Sequence, residues 1–447
     1  MRTDAGRGRV VLLCLAFLLG LLPASTAGAA STRHPVLFVH GIEGTGAQFE
    51  SQAMRLTSNG YPHSWIEEVD YDSTRAVGDK TEVHAQMDAK IAELRRRTGA
   101  KKVDLVAHSL GTIVSYDYLT DSEKGAHRRR SIAHYVNVDG QSSNPGVPTL
   151  ALWAGRRAMG PADHMPGAKN VTIPNQTHVQ TCTSWLSFIQ MFKFLRGTKP
   201  AHDIVRQRGS IRLSGRALTF PQNAGLAGAT IQVWRLEANG HRATKTPHAS
   251  LPIADGSQGG GDWGPISVEA GPHYEFAIVQ SGKPTLHYYY EPFVRSDHTL
   301  RLLYSDPLTL YAGQRPGTVS AVNIRYKELW GDVARKRDVL RINGTSVCTA
   351  ELCPWTKQVN AYFAFDDNRN GKTDLTSDPV IGNLPFLQGG DVFIPASPRA
   401  TGTTTFQLRS RGSGSPRIVK TPNWDSTNDG VLVQWRDFEP RDVQAPQ

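Results

Sequence analysis

The sequence predicts an α/β domain, built on a mostly parallel sheet with flanking helices, followed by all-β sandwich or barrel modules. Three observations predict it. Between residues 35 and 197 short, uniformly apolar runs alternate with helical patterns, as in βαβ units. Beyond Lys199-Pro200 the pattern turns to short alternating strands separated by Gly, Pro, Asn and Asp, and helical periodicity nearly vanishes. The length, 447 residues with 39% hydrophobic and 20% charged, provides for two or three globular domains at about 150 residues each.

Residues 1–30 read as a signal peptide. Arg2, Arg7 and Arg9 precede the apolar run Val10 to Leu22, and Pro23 leads into the small-residue stretch Ala24 to Ala30. Cys14 follows Leu13 inside the apolar run, which is not a lipoprotein cleavage pattern, so the mature protein is expected to be secreted and extracellular. No later stretch approaches the ~20 continuous apolar residues of a membrane helix, and the mature chain is expected to carry no transmembrane segment. The net charge is +10, from 50 Lys and Arg against 40 Asp and Glu. The arginine triplets Arg95–Arg97 and Arg128–Arg130 are isolated and lack interleaved aromatics, so no nucleic-acid partner is expected. In an oxidising compartment Cys348 and Cys353 can close a small loop, which leaves Cys182 as a buried, inert thiol.

The α/β domain is expected over residues 31–200. Its strands are the runs Val36 to Val39, Val103 to Ala107, Ile132 to Val138, Thr149 to Ala154 and Asn170 to Pro174. They lack polar alternation and so suit a sheet buried on both faces. Val83, Met87, Ile91 and Leu94 make an apolar stripe on a helix over Thr81 to Thr98, stopped by Gly99. Trp185, Phe188, Ile189, Phe192 and Leu195 form the core-facing side of a closing helix. The β-rich remainder is expected as two modules, residues 205–295 and 296–440, because about 240 residues is large for one sandwich. Gly256 to Gly261 has no following helix and is a surface loop, not a phosphate cradle. Tyr288 to Tyr290 read as an ordinary strand in preference to a glycan-stacking surface.

The strongest local signal is Val103-Asp-Leu-Val-Ala-His-Ser-Leu-Gly-Thr-Ile-Val, a strand running into a helix through Ala107-His108-Ser109-Leu110-Gly111. A serine at so tight a turn needs small flanking residues, and its hydroxyl leaves the sheet at a helix N-terminus that favours developing negative charge. Ser109 is therefore the candidate nucleophile. Acyl transfer also needs amides aimed at the oxyanion. One is expected from Leu110 and the other from Ile42, in the His40-Gly41-Ile42-Glu43-Gly44 loop after the first strand. His40 itself is expected to hold that loop by hydrogen bonds.

The general base is expected after the last strand of the domain, where Val171-Thr-Ile-Pro-Asn-Gln-Thr-His178 places an imidazole just before the closing helix. His178 takes that role ahead of His134, which falls mid-strand, and His164. Two acids remain open, Asp139 at the end of the Tyr135-Val-Asn-Val-Asp139 strand and Asp163 in the following long loop. Asp139 is preferred because a strand end holds an imidazole's partner more rigidly than a loop does. No cofactor is expected for hydrolysis. A weaker pattern, Asp366, Asn368, Asn370 and Asp374 with Gly371 at the bend, fits either a structural calcium loop or an Asp/Asn-rich turn, since Ser377 stands where the loop's last Glu belongs.

With these motifs in place, residues 34–197 resemble the α/β-hydrolase lipases of minimal type, in the Ala-His108-Ser109-Leu110-Gly111 elbow and in Pro166-Gly-Ala-Lys-Asn-Val171 before the last strand. The attached β-rich half looks like that of the archaeal two-domain lipases, and residues 210–236 resemble a transthyretin-like sandwich. The resemblance implies an α/β hydrolase with a Ser-His-Asp triad, a β domain that helps accommodate long acyl chains, and an acid after the strand that follows the elbow helix, which is Asp139. The missing acid after Thr149 to Ala154 departs from the commoner pattern. The substrate implied is a lipid, fatty acyl ester or polyester. An acyltransferase or peptidase of the same fold, and a surface-binding protein with an inert hydrolase domain, are the alternatives.

Overall fold

The computed structural model describes residues 33–157, 164–438 and 443–444. The expected signal peptide and Asp163 lie outside the described residues. In chain order the first half runs β1 (Val36–Val39), α1 (Glu50–Ser58), β2 (Ile66–Val69), α2 (Ser73–Ala76), α3 (Thr81–Thr98), β3 (Val103–His108), α4 (Leu110–Thr120), α5 (Gly125–Arg130), β4 (Ile132–Val138), β5 (Thr149–Ala154), β6 (Lys169–Ile173), α6 (His178–Thr183) and α7 (Trp185–Arg196). The six strands form one sheet in the order β2-β1-β3-β4-β5-β6, every neighbouring pair parallel. This is the α/β-hydrolase arrangement.

Five of the strands coincide with the apolar runs. The sixth, β2, does not, because Glu67 and Glu68 interrupt it, and carboxylates so largely buried are tolerated only when paired. Glu67 lies 2.8 Å from Lys90 and 2.9 Å from Arg97, and Glu68 lies 3.2 Å from Arg301 of the β-rich half. α3 buries its predicted stripe of Val83, Met87, Ile91 and Leu94, and Gly99 closes it with φ +71° and an N–H donated to the Arg95 carbonyl. α7 buries Phe188, Met191, Phe192 and Leu195, while Ile189 is only half-buried. Each full burial of this kind stabilises by roughly 1.5–3 kcal/mol.

The rest of the described chain is almost wholly β. A nine-stranded sheet, a four-stranded sheet and a three-stranded sheet account for most of it. The expected division at residue 296 does not match the strand pairing. Strand Asp297–Tyr304 pairs in parallel with Ser210–Thr219, and Asp429–Gln434 is inserted between Thr285–Tyr290 and Ala321–Leu329, parallel to both. The two β modules thus share the nine-stranded sheet. Alternation within a strand says which face is buried and nothing of which distant strand lies beside it.

Tyr288, Tyr289 and Tyr290 are all buried in that sheet, and the Tyr288 hydroxyl donates to the Leu303 carbonyl at 2.7 Å. Cys348 and Cys353 form a disulfide with Cα atoms 5.5 Å apart, and Cys182 is a free, buried thiol that burial holds well above the ordinary thiol range. The described residues pack as one compact unit. Arg216 and Arg301 cross from the β half onto Asp70, at 2.7 and 2.9 Å. No helix among the described residues is long and apolar enough to cross a membrane.

Candidate active site

The carboxyl ends of β1, β3 and β4 and the start of α6 bring the candidate residues together. Ser109 stands between β3 and α4 with φ 52° and ψ −124°, a sparsely populated conformation for a residue with a side chain. Such strain costs about 1–3 kcal/mol and persists only where the surroundings impose it. Here the Ser109 N–H donates to the Val138 carbonyl at 3.1 Å, and its carbonyl accepts from the N–H and the hydroxyl of Thr112 at 2.9 and 2.6 Å. Close approach explains the small residues around the turn. A Cβ on Gly111 would lie 2.4 Å from the His40 carbonyl oxygen, and one on Gly41 would lie 2.9 Å from the Ser109 Cβ.

Asp139 follows β4, itself at φ 47°, and is buried. Its Oδ2 accepts from His178 Nδ1 at 2.7 Å, and its Oδ1 accepts from the Ala154 N–H at 2.9 Å. Burial opposes its ionisation, but His178, the Ala154 amide and Arg157 together hold its carboxyl below the ordinary range. His178 is the first residue of α6, capped by the preceding Thr177, whose hydroxyl accepts from the Gln180 N–H at 3.4 Å. His108 donates from Nε2 to the His178 carbonyl at 3.0 Å, and its ring centroid lies 4.5 Å from that of His178. Burial pushes His108 down to about 3, so it stays neutral and serves as a fixed donor.

The loop after β1 carries Ile42, one of the two residues whose amides are expected to receive the oxyanion. Gly44 N donates to Gly41 O at 3.2 Å, closing a turn in which Glu43 has φ 52°. The amide of Ile42 is outside the bond that closes the turn, and the amide of Leu110 is in the first turn of α4, where a helix offers no internal acceptor. His40 is fully buried, donates from Nδ1 to Gly41 O at 2.7 Å and stacks on Tyr71 at 4.2 Å between centroids. Burial holds it at about 4, neutral despite Asp70. Of the competing histidines, His134 bonds Asp104 at 2.8 Å near the opposite end of β3, and His164 is exposed.

Ser109, His178 and Ile42 line a cavity of about 1200 Å³, open mouth included, that continues into the β half. Its far walls are Leu286, Leu308, Val322, Phe363 and Leu432, a predominantly apolar surface. Asp366, Asn368, Asn370 and Asp374 lie elsewhere and are engaged within their own loop. Asp366 accepts from the amides of Asn370 and Gly371 at 3.2 and 3.1 Å, Asn370 donates to Asp374 at 2.8 Å, and Asn368 donates to Asp391 at 2.8 Å. Among the described residues no group of three or more His, Cys, Asp and Glu side chains is placed to hold a metal ion.

Sequence reasoning passed over three residues that hydrogen-bond beside the candidate site. Thr177 shows only as a helix-cap residue next to His178, and Asn223 and Glu328, which bond Gly44 and Thr177 from the β half, lie too far along the chain to show at all.

Residues 33–136 match the class 2 lipase family, residues 209–307 a lipase C-terminal domain and residues 310–439 a further C-terminal domain. The chain is similar to a solved lipase of Bacillus licheniformis in its propeptide form, at 12% identity over 87% of this chain and 93% of that one, with a TM-score of 0.29. It is similar to a gene product of Listeria innocua at 14% identity over 38% of this chain and 97% of that one, TM-score 0.29. A predicted CIB-like hydrolase from Thermoplasma acidophilum matches at 12% identity over 38% of this chain and 88% of that one, TM-score 0.28.

Proposed function

We propose, from the premise that the chain is a lipase-type α/β hydrolase with a β-rich C-terminal half, that it is a secreted carboxylester hydrolase of fatty acyl esters working through Ser109, His178 and Asp139. The observation that carries this reading is the 2.7 Å bond between Asp139 and His178 at the mouth of an apolar cavity that Ser109 also lines. Ser109 attacks the ester carbonyl while His178 takes its proton through Nε2, the ring nitrogen that Asp139 leaves free. Asp139 stabilises the imidazolium, and the amides of Ile42 and Leu110 receive the oxyanion. Collapse expels the alcohol, protonated by His178, and leaves an acyl-enzyme. Water activated by the same imidazole then releases the acid.

The acyl chain would lie in the cavity. Its apolar far walls support a long chain over a short one, because each buried methylene contributes about 0.8 kcal/mol. The composition of residues 1–30 supports export, and N-terminal sequencing of the mature protein checks it. The test of the reaction is labelling by a fluorophosphonate together with a panel of p-nitrophenyl esters. We expect labelling that Ser109→Ala abolishes, and hydrolysis of esters faster than of the matching anilides. An unlabelled wild-type protein, or anilides cleaved faster, overturns the proposal.

A further inference from the structure

The β half does more than wall the cavity. Asn223 stands in the turn after strand Ser210–Thr219, at φ 55°, and is fully buried against the α/β half. Its side-chain amide donates to the carbonyls of Gly44 and Tyr71, both at 2.9 Å, and its nitrogen lies 3.4 Å from His40 Nε2. Gly44 ends the turn whose second residue is Ile42, and His40 and Tyr71 are the pair that hold the turn's base. Removing that amide frees two buried carbonyls and the loop they belong to.

Glu328 reaches the histidine loop. It sits at φ 64° at the register break between strands Ala321–Leu329 and Val359–Phe365, and is fully buried. Its Oε1 accepts from the Thr177 hydroxyl and from Trp330 Nε1, the latter at 2.5 Å. Thr177 is the residue before His178 and caps its helix. Arg411 closes the arrangement, donating to Gln180 in the same helix at 3.2 Å while lying 3.4 Å from Glu328.

We propose that Asn223 and Glu328 are positioning residues for ester hydrolysis, Asn223 fixing the loop that offers the Ile42 amide and Glu328 fixing the backbone that aims His178. This rests on the reaction proposed above. It assigns part of the active-site geometry to residues 45 and 150 positions beyond His178. The charged groups facing Glu328 are Arg411 and Asp338, and burial raises its carboxyl to about 7. In mildly acidic solution the protonated acid predominates, and glutamine reproduces it.

The experiment uses the full chain, with the wild type assayed first for ester hydrolysis and Ser109 labelling. Asn223→Ala, Glu328→Ala, Glu328→Gln and Thr177→Val are then compared at pH 6 on esters from butyrate to palmitate, with kcat, KM and thermal midpoint recorded. Displacement of a reacting group by about 1 Å can cost up to ~100-fold in rate. We therefore expect Asn223→Ala and Glu328→Ala to lower kcat about 10- to 100-fold by a similar factor for every chain length, with KM within about threefold. Glu328→Gln should recover kcat to within about threefold of wild type.

A role confined to stability or to the cavity would instead lower the thermal midpoint or reshape the chain-length profile while leaving butyrate kcat intact, and either result overturns the inference. Should Glu328→Ala not fold, Thr177→Val cuts the same contact from the other side at nearly constant volume, and should Asn223→Ala not fold, Asn223→Leu removes the donor while keeping the volume; unchanged kcat in the substitute variant is equally fatal. A wild type that neither hydrolyses esters nor labels sinks the proposed reaction itself. An active wild type with indifferent variants sinks only this inference.

Discussion

Asp139 Oδ2 and His178 Nδ1 lie 2.7 Å apart, although 39 residues separate them in the chain. The contact is built from two rigid ends. The Asp139 N–H donates to the Leu152 carbonyl at 2.7 Å and its second carboxylate oxygen accepts from Ala154, so neighbouring strand β5 fixes the acid in place. Asp139→Asn keeps an oxygen for the Ala154 amide but can present an N–H to His178, favouring the wrong tautomer. Loss of about 10³- to 10⁴-fold in kcat is expected, with KM little changed. Steady-state kinetics on a butyrate ester check it. Wild-type-like turnover would move the acid's role to Asp163.

Gly111 tests the elbow as a steric construction. A methyl group there meets the carbonyl oxygens of both His40 and Val39, at 2.4 and 2.5 Å, backbone at and just past the end of buried strand β1. Gly111→Ala should destabilise the fold by about 1–3 kcal/mol, as overpacking does, and lower activity with it. Urea unfolding of the two proteins measures the first effect. Equal midpoints would mean that the turn relaxes more freely than this packing permits.

The parts of this architecture visible in the sequence are those dictated by local chemistry. The elbow needs small residues at 107 and 111, the parallel strands need apolar runs, and α3 needs its stripe at helical spacing. What stayed hidden is held across long separations. β2 carries two carboxylates, and while Glu67 finds Lys90 and Arg97 nearby in the chain, Glu68 makes sense only once Arg301, more than 200 residues later, lies against it. Asn223 resembles any turn asparagine until its amide is found inside the α/β half, and Glu328 any strand glutamate until Thr177 is found against it. The shared nine-stranded sheet was hidden for the same reason, since its central strand, Asp429–Gln434, comes from near the end of the chain.

Glu68 makes the junction between the halves sensitive to pH. Burial raises its carboxyl to about 7, only partly countered by Arg301. An unfolded glutamate titrates near 4.3, so the folded state holds the proton more tightly between about 4.5 and 7. The corresponding stability is present at the acid end of that window, falls as pH rises through it and is gone above it. Between pH 5 and 8 the wild type should lose about 1–3 kcal/mol more than Glu68→Gln. Urea midpoints at the two pH values decide, and parallel curves would show that Glu68 does not titrate in this window.

The Asp366 loop predicts an insensitivity. Both carboxylate oxygens of Asp366 already accept backbone amides, and Asn368 and Asn370 are tied to Asp391 and Asp374. A cation would have to displace those bonds to gain its ligands. Treatment with EDTA is therefore expected to leave the thermal midpoint and ester hydrolysis unchanged. A midpoint lowered by the chelator and restored by calcium would show that the loop rearranges around an ion.

Val322 probes the cavity as an acyl site. It belongs to strand Ala321–Leu329 of the shared sheet, is only half-buried, and lines the cavity beside Leu432 and Phe363, so its side chain borders the open volume. Val322→Trp adds an indole where a distal acyl segment would lie, without touching Ser109, His178 or Asp139. Excluding two to four methylenes forfeits about 0.8 kcal/mol each, which corresponds to a loss of roughly 10- to 100-fold or more in kcat/KM for palmitate. Butyrate ends short of the obstruction and should be hydrolysed at the wild-type rate. The ratio of the two kcat/KM values, wild type against variant, is the measurement. An unchanged ratio would mean that the acyl chain leaves Ser109 by another path, and that the β half shapes the active site without receiving the substrate.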